Sequence, residues 1–179
     1  MRNTKAKDVA LTGMLFALAI ALSWMESCIT PLLGLMPAMK LGLSNVVVMY
    51  ALLFLRTRTA WMLVSLKALF AFATRGATAG ILSGCGGALS LLVLLGLLYL
   101  RIPVSGYVFC VCGALAHNLG QLVAASVVLS SAMALAYAPV LLIAGIVVGA
   151  ISCVLTQALF AALPRNLRTS TRKMNPFKK

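Results

Sequence analysis

"ATAGILSGCGGALSLLVLLGLLYL", residues 77–100, carries no charged side chain. It is longer than the roughly 20 residues a helix needs to cross about 30 Å of hydrocarbon. Similar runs recur on both sides of it, at about 9–25, 43–55, 59–74, 104–130 and 134–163. The pattern predicts an all-α integral membrane protein, a bundle of six transmembrane helices. The second and third runs are short, so they are expected to tilt into the loops around them. Connections such as Arg56-Thr57-Arg58 and Arg101-Ile102-Pro103 are brief enough to make successive helices antiparallel neighbours.

Composition agrees. Of 179 residues, 63% are hydrophobic and 9% charged, and the mean hydropathy is +1.08. These values lie far from those of soluble domains. The longest polar piece is the basic tail 164–179, so a soluble catalytic domain is excluded. The organisation expected is a cytoplasmic N-terminus (1–8), a membrane domain (9–163) and that tail. The start resembles a signal peptide, yet the apolar run reaches Met25 with no clear cleavage site before Glu26, which predicts an uncleaved first span.

Charge predicts the orientation. With six spans and the N-terminus inside, every one of the 15 Lys and Arg residues except Lys40, Lys67 and Arg75 falls on the cytoplasmic side. That asymmetry is a strong positive-inside signal and predicts N-in, C-in. The net charge of +13 is therefore dispersed over loops and a tail. No basic face of a soluble fold is available, so nucleic acid is not an expected partner; the tail can meet anionic lipid headgroups. The five cysteines, Cys28, Cys85, Cys110, Cys112 and Cys153, follow neither zinc-site nor disulfide spacing and read as small buried hydrophobes.

Polar residues inside the apolar runs are the candidates for function. Lys67 lies near the middle of the third run, where an ammonium needs a partner or water. Arg75 follows eight residues later, a little over two turns, so both can project to a similar side. The acidic residues are Asp8, at the wrong end, and Glu26. Two cations facing a cavity would attract an anionic group, although Lys67 could also snorkel to an interface. In "CGALAHNLGQL" (112–122), His117, Asn118 and Gln121 are expected on one side of the fifth helix at about the depth of Lys67. They either bind substrate or knit a cavity wall.

Three further features bear on function. Pro31, Gly34, Pro37 and Gly42 make a continuous helix over 25–45 improbable, so this segment is expected to fold over the outer mouth, bracketed by Glu26 and Lys40. Gly13, Ala17 and Ala21 repeat every four residues and suit close helix packing, within the bundle or against a membrane partner. Gly80, Gly84, Gly86 and Gly87 either pack helices tightly or open backbone amides to a ligand. There is no nucleophile–base pair, carboxylate pair, phosphate loop, metal cluster or aspartate-rich motif for magnesium diphosphate, so no catalytic residue, metal or cofactor is expected.

"MKLGLSNVVVMYALLFL" (39–55), "LSGCGGALSLLVL" (82–94), "GALAHNLGQLVAA" (113–125) and "YAPVLLIAGIVVGAISCVL" (137–155) resemble, in order, the Gx transporter family, whose members carry the label heptaprenyl diphosphate synthase component I. That family is similar to the substrate-binding S components of energy-coupling factor (ECF) importers. The resemblance implies a multi-pass protein of a bacterial plasma membrane, binding a small solute on its outer side. It also implies partnership with a membrane coupling subunit and cytoplasmic ATPases. By it, Gly13, Ala17 and Ala21 form the partner-docking face, and 26–42, with Glu26 and Lys40, is the gating segment. The substrate-binding residues expected are Lys67, Arg75, Asn45, His117, Asn118 and Gln121. The alternative is a non-catalytic membrane component linked to polyprenyl diphosphate or quinone biosynthesis, for which Arg56, Arg58 and Arg101 would matter instead. A purely structural subunit is the third possibility.

Overall fold

The computed structural model describes residues 2–33, 42–100, 104–128 and 138–162, and these contain six α-helices and one 3-10 turn, with no strand among them. The helices are α1 (Arg2–Ile29), α2 (Asn45–Phe54), α3 (Thr57–Arg75), α4 (Ala77–Tyr99), α5 (Gly106–Val128) and α6 (Ala138–Ala162); the 3-10 turn, Thr30–Leu33, continues α1. Four of them, α1, α4, α5 and α6, are long and apolar enough to cross a membrane. Their outward faces are apolar too: Met14, Trp24, Leu92, Val123, Ile143 and Val154 are all exposed. An apolar surface of that extent is unsuited to water and is the surface of a membrane protein.

The short second run has a different explanation from tilting into loops. α2 has 10 residues, about 15 Å of helix, too little to cross the hydrocarbon. Val46 through Leu53 are all buried, and α2 touches α1, α3, α4, α5 and α6. A helix that is apolar on every side belongs in an interior, and here it forms the centre of the larger core cluster. α3 extends the third run at both ends, to 19 residues. α1 starts at Arg2 rather than near residue 9 and runs past Met25, so Glu26 lies in its last turn.

Glycines set how α3, α4, α5 and α6 pack. A Cβ on Gly80 would meet Phe72, one on Gly84 would meet Ala68, and one on Gly87 would meet Val64. As the α4 number rises the α3 number falls, so the two helices are antiparallel. Gly86 faces His117 and Gln121 while Gly113 faces Leu94, giving the same sense for α4 and α5. Gly145 against Leu115 and Gly149 against Val111 repeat it for α5 and α6. The glycines of α4 therefore serve close helix crossing, and α4 is helical throughout. Gly76, at φ +91°, forms the one-residue joint between α3 and α4, and its N–H bonds to Phe72 O at 3.0 Å. This zigzag brings the start of α3, the end of α4 and the start of α5 to one end of the bundle. Exposed Trp61, Tyr99 and Tyr107 collect there with Arg56 and Arg58, the arrangement of residues typical of a membrane interface.

Candidate functional site

At the opposite end, where α3 turns into α4, a small cleft opens between α1, α3, α4, α5 and the entry to α2. It is lined by Ser23, Ser44, Lys67, Arg75, Ala79, Ser83, His117 and Gln121. The helical period brings the two cations together: residues eight apart on α3 differ by about 80° in phase, so both reach the same side. Lys67 is only 8% exposed, and it lies within electrostatic reach of His117. Arg75 is half-buried, and its Nη1 has no hydrogen-bond partner among the described residues.

His117 and Gln121 face the cleft from α5. One helical turn apart, they hydrogen-bond to each other, with Gln121 Nε2 2.7 Å from His117 Nε2. The imidazole is packed between two glycines. A Cβ on Gly42 would come within 2.9 Å of His117 Cδ2, and one on Gly86 within 3.0 Å of His117 Cε1. Gly42 has φ +97°, a conformation glycine adopts without the cost a side chain would bring.

Asn118 does not share this face. It lies 100° around the helix from His117 and is turned toward α6, where its Nδ2 donates to Leu141 O at 2.8 Å. Asn45 is also elsewhere. Its Nδ2 donates to Ser90 Oγ at 2.7 Å, and Ser90 Oγ donates to Gly113 O at 2.8 Å, a buried relay joining α2, α4 and α5. Of the six expected substrate-binding residues, four line the cleft and two tie helices to one another.

Glu26 is fully buried at the end of α1. Its Oε1 accepts the N–H of Gly42 and, at 3.4 Å, that of Leu43, which anchors the chain just before α2. It is also within electrostatic reach of Arg75. The other bracketing residue, Lys40, and positions 34–41 of the expected gating segment lie outside the described residues, as does the tail 164–179. Gly13, Ala17 and Ala21 are all exposed on α1, and a Cβ at Gly13 would meet nothing within 4 Å, so this stripe is not used for packing inside the bundle.

Four cleft residues were not anticipated: Ala79 and three polar ones, Ser23, Ser44 and Ser83. The signal of the serines was weak, because a serine can satisfy its hydroxyl on nearby backbone and does not stand out in an apolar run. Ser23 lies one turn before Glu26, and Ser44 adjoins Asn45, so proximity to stronger polar residues was the available clue.

No group of three or more His, Cys, Asp or Glu side chains that could hold a metal occurs among the described residues. The arrangement suits binding: two cations, an imidazole, a carboxamide and hydroxyls converge on one opening. No curated protein and no solved structure matches the chain. The family model described as heptaprenyl diphosphate synthase component I matches residues 15–159, most of the sequence. The chain belongs to the heptaprenyl diphosphate synthase component I family.

Proposed function

We propose that this protein is the substrate-binding membrane subunit of an energy-coupled importer, resembling an ECF S component, and that it takes a small anionic or amphiphilic solute. The observation that carries the reading is the meeting of Lys67 and Arg75 with His117 and Gln121 in one cleft inside an apolar bundle. Two cations that line one opening with an imidazole and a carboxamide suit the anionic group of a visiting solute. In this reading the chain lies in a bacterial plasma membrane with its N-terminus inside, and the cleft opens outward, away from Arg56 and Arg58. The solute is held by Lys67, Arg75, His117 and Gln121. Energy comes from partner ATPases through a coupling subunit that docks on the exposed Gly13, Ala17 and Ala21 stripe.

Affinity purification from gently solubilised native membranes tests this reading, with mass spectrometry of both proteins and small molecules. The expected result is a coupling membrane protein and ATPases, both lost on Ala17→Leu, and a small molecule lost on Arg75→Gln. Recovery of a prenyl synthase without ATPases overturns it.

The family description favours a second reading, a non-catalytic membrane component of polyprenyl diphosphate synthesis. A cytosolic diphosphate would meet the other end of the bundle, where Arg56 and Arg58 are exposed. Their replacement by Gln would then abolish synthase association, while Arg75→Gln would not.

A further inference from the structure

Glu26 acts on the cleft without lining it. It is fully buried in the last turn of α1, where its backbone carbonyl accepts the Thr30 hydroxyl at 2.7 Å. Its carboxylate Oε1 accepts the backbone N–H groups of Gly42 and Leu43. The chain there is held from its other side as well. Gly42 O accepts the N–H of Asn45 at 2.9 Å, and Leu43 O that of Val46 at 3.1 Å. Residues 42–46 thus form a turn into α2 whose first amides are tied to α1.

That turn is one jaw of a clamp on His117. A Cβ on Gly42 would come within 2.9 Å of His117 Cδ2 and one on Gly86 within 3.0 Å of Cε1, so the imidazole is gripped from two sides. The two jaws are built differently. Gly86 lies inside α4, where the hydrogen bonds of the helix fix its backbone. Gly42 precedes α2, has φ +97° and takes its place from the Glu26 carboxylate. Two residues on, Ser44 lines the same opening as His117. Within the clamp Gln121 Nε2 donates to His117 Nε2 at 2.7 Å, which leaves the proton of the neutral ring on Nδ1.

We propose that Glu26 is a positioning residue of the cleft: by anchoring the Gly42 and Leu43 amides to the end of α1, it holds one jaw closed on His117 and presents a single imidazole orientation and tautomer to the solute. The reach of its acceptor matters here, and its charge does not. The inference rests on the reading that the cleft holds the solute. It adds how one contact of that cleft is kept ordered in advance, which lowers the cost of binding.

His117 is the only histidine of the chain, so nitrogen-15 in the histidine ring reports on it alone. The test is the ring-nitrogen spectrum of the full chain in detergent at neutral pH. Wild type is expected to show two well-separated signals, a protonated Nδ1 and a bare Nε2. Glu26→Gln keeps an acceptor at the same reach and is expected to retain that pair. Glu26→Asp keeps the charge but withdraws the acceptor by one methylene. Its two signals are expected to move toward their average as the ring turns and exchanges tautomers. Asn118→Ala, which loses the bond to Leu141 O and leaves the jaw alone, is expected to retain the wild-type pair. A retained pair in Glu26→Asp overturns the proposal. So does averaging in Glu26→Gln, which would make charge the controlling property, or in Asn118→Ala, which would make averaging a mark of lost stability. Averaging in wild type overturns it outright. If Glu26→Asp does not fold, the wild-type and Glu26→Gln spectra decide. The spectrum needs no ligand, so a failure here leaves the importer reading to stand or fall on co-purification.

Discussion

Gly42 and His117 are in mutual contact: a Cβ at position 42 would lie 2.9 Å from His117 Cδ2 and 3.6 Å from Cγ. The backbone there has φ +97°, so the absence of a side chain serves two purposes at once. Gly42→Ala is expected to destabilise the protein in two separable parts. About 1–2 kcal/mol comes from the left-handed backbone, and a further 1–3 kcal/mol from crowding the ring. Unfolding of Gly42→Ala beside the double variant with His117→Ala checks this. The second change should restore the crowding part and leave the backbone part.

Glycines elsewhere should divide by what their missing Cβ would meet. A Cβ on Gly120 would come within 2.8 Å of Cys85 O and 2.9 Å of Gly86 Cα, both backbone atoms that cannot move without shifting α4. Gly120→Ala is therefore expected to cost at least about 2 kcal/mol or to prevent assembly of the α4–α5 pair. Gly13 is exposed, helical and clear of all neighbours, so Gly13→Ala should leave stability unchanged or raise it by up to about 1 kcal/mol. Similar Tm values for the two variants would contradict this division.

The six helices were legible because apolar length survives without knowledge of neighbours. The fate of α2 was legible only in part. "NVVVMYALLF" is apolar throughout, which suits a short span and a buried core helix equally, and only the packing of five other helices around it separates the two. The pairing of Lys67 with Arg75, and of His117 with Gln121, followed from spacing alone. The separation of Asn118 did not, because a trio within four residues spans more of the helix circumference than one neighbour covers. The placing of Asn45 depended on Ser90, distant in sequence. Glu26 was read as part of the segment over the mouth, since nothing local reveals that α1 continues past Met25.

That division of polar residues has a measurable consequence. Asn45 and Asn118 each donate to a partner on another element and do not line the cleft. Asn45→Ala and Asn118→Ala are each expected to lower stability by about 1–3 kcal/mol, the cost of stranding a buried partner. The affinity for a stabilising anion should stay within about twofold of wild type. Gln121→Ala should do the reverse in affinity, weakening it by about tenfold or more, as loss of a group that touches the ligand does. Anion titrations monitored by unfolding read both quantities in the same samples.

Lys67 offers the sharpest separation of stability from binding. Its ammonium is held at 8% exposure within electrostatic reach of His117, an environment that penalises charge. Lys67→Met keeps the length and the apolar stem of the side chain and removes the charge. Without ligand, this variant is expected to be more stable than wild type by about 1 kcal/mol, since a buried charge is replaced by a fitting hydrophobe. Its response to anions should fall by about tenfold or more, because one of the two cations that line the cleft is gone. A less stable ligand-free variant with normal anion binding would make Lys67 a structural residue and remove it from the site.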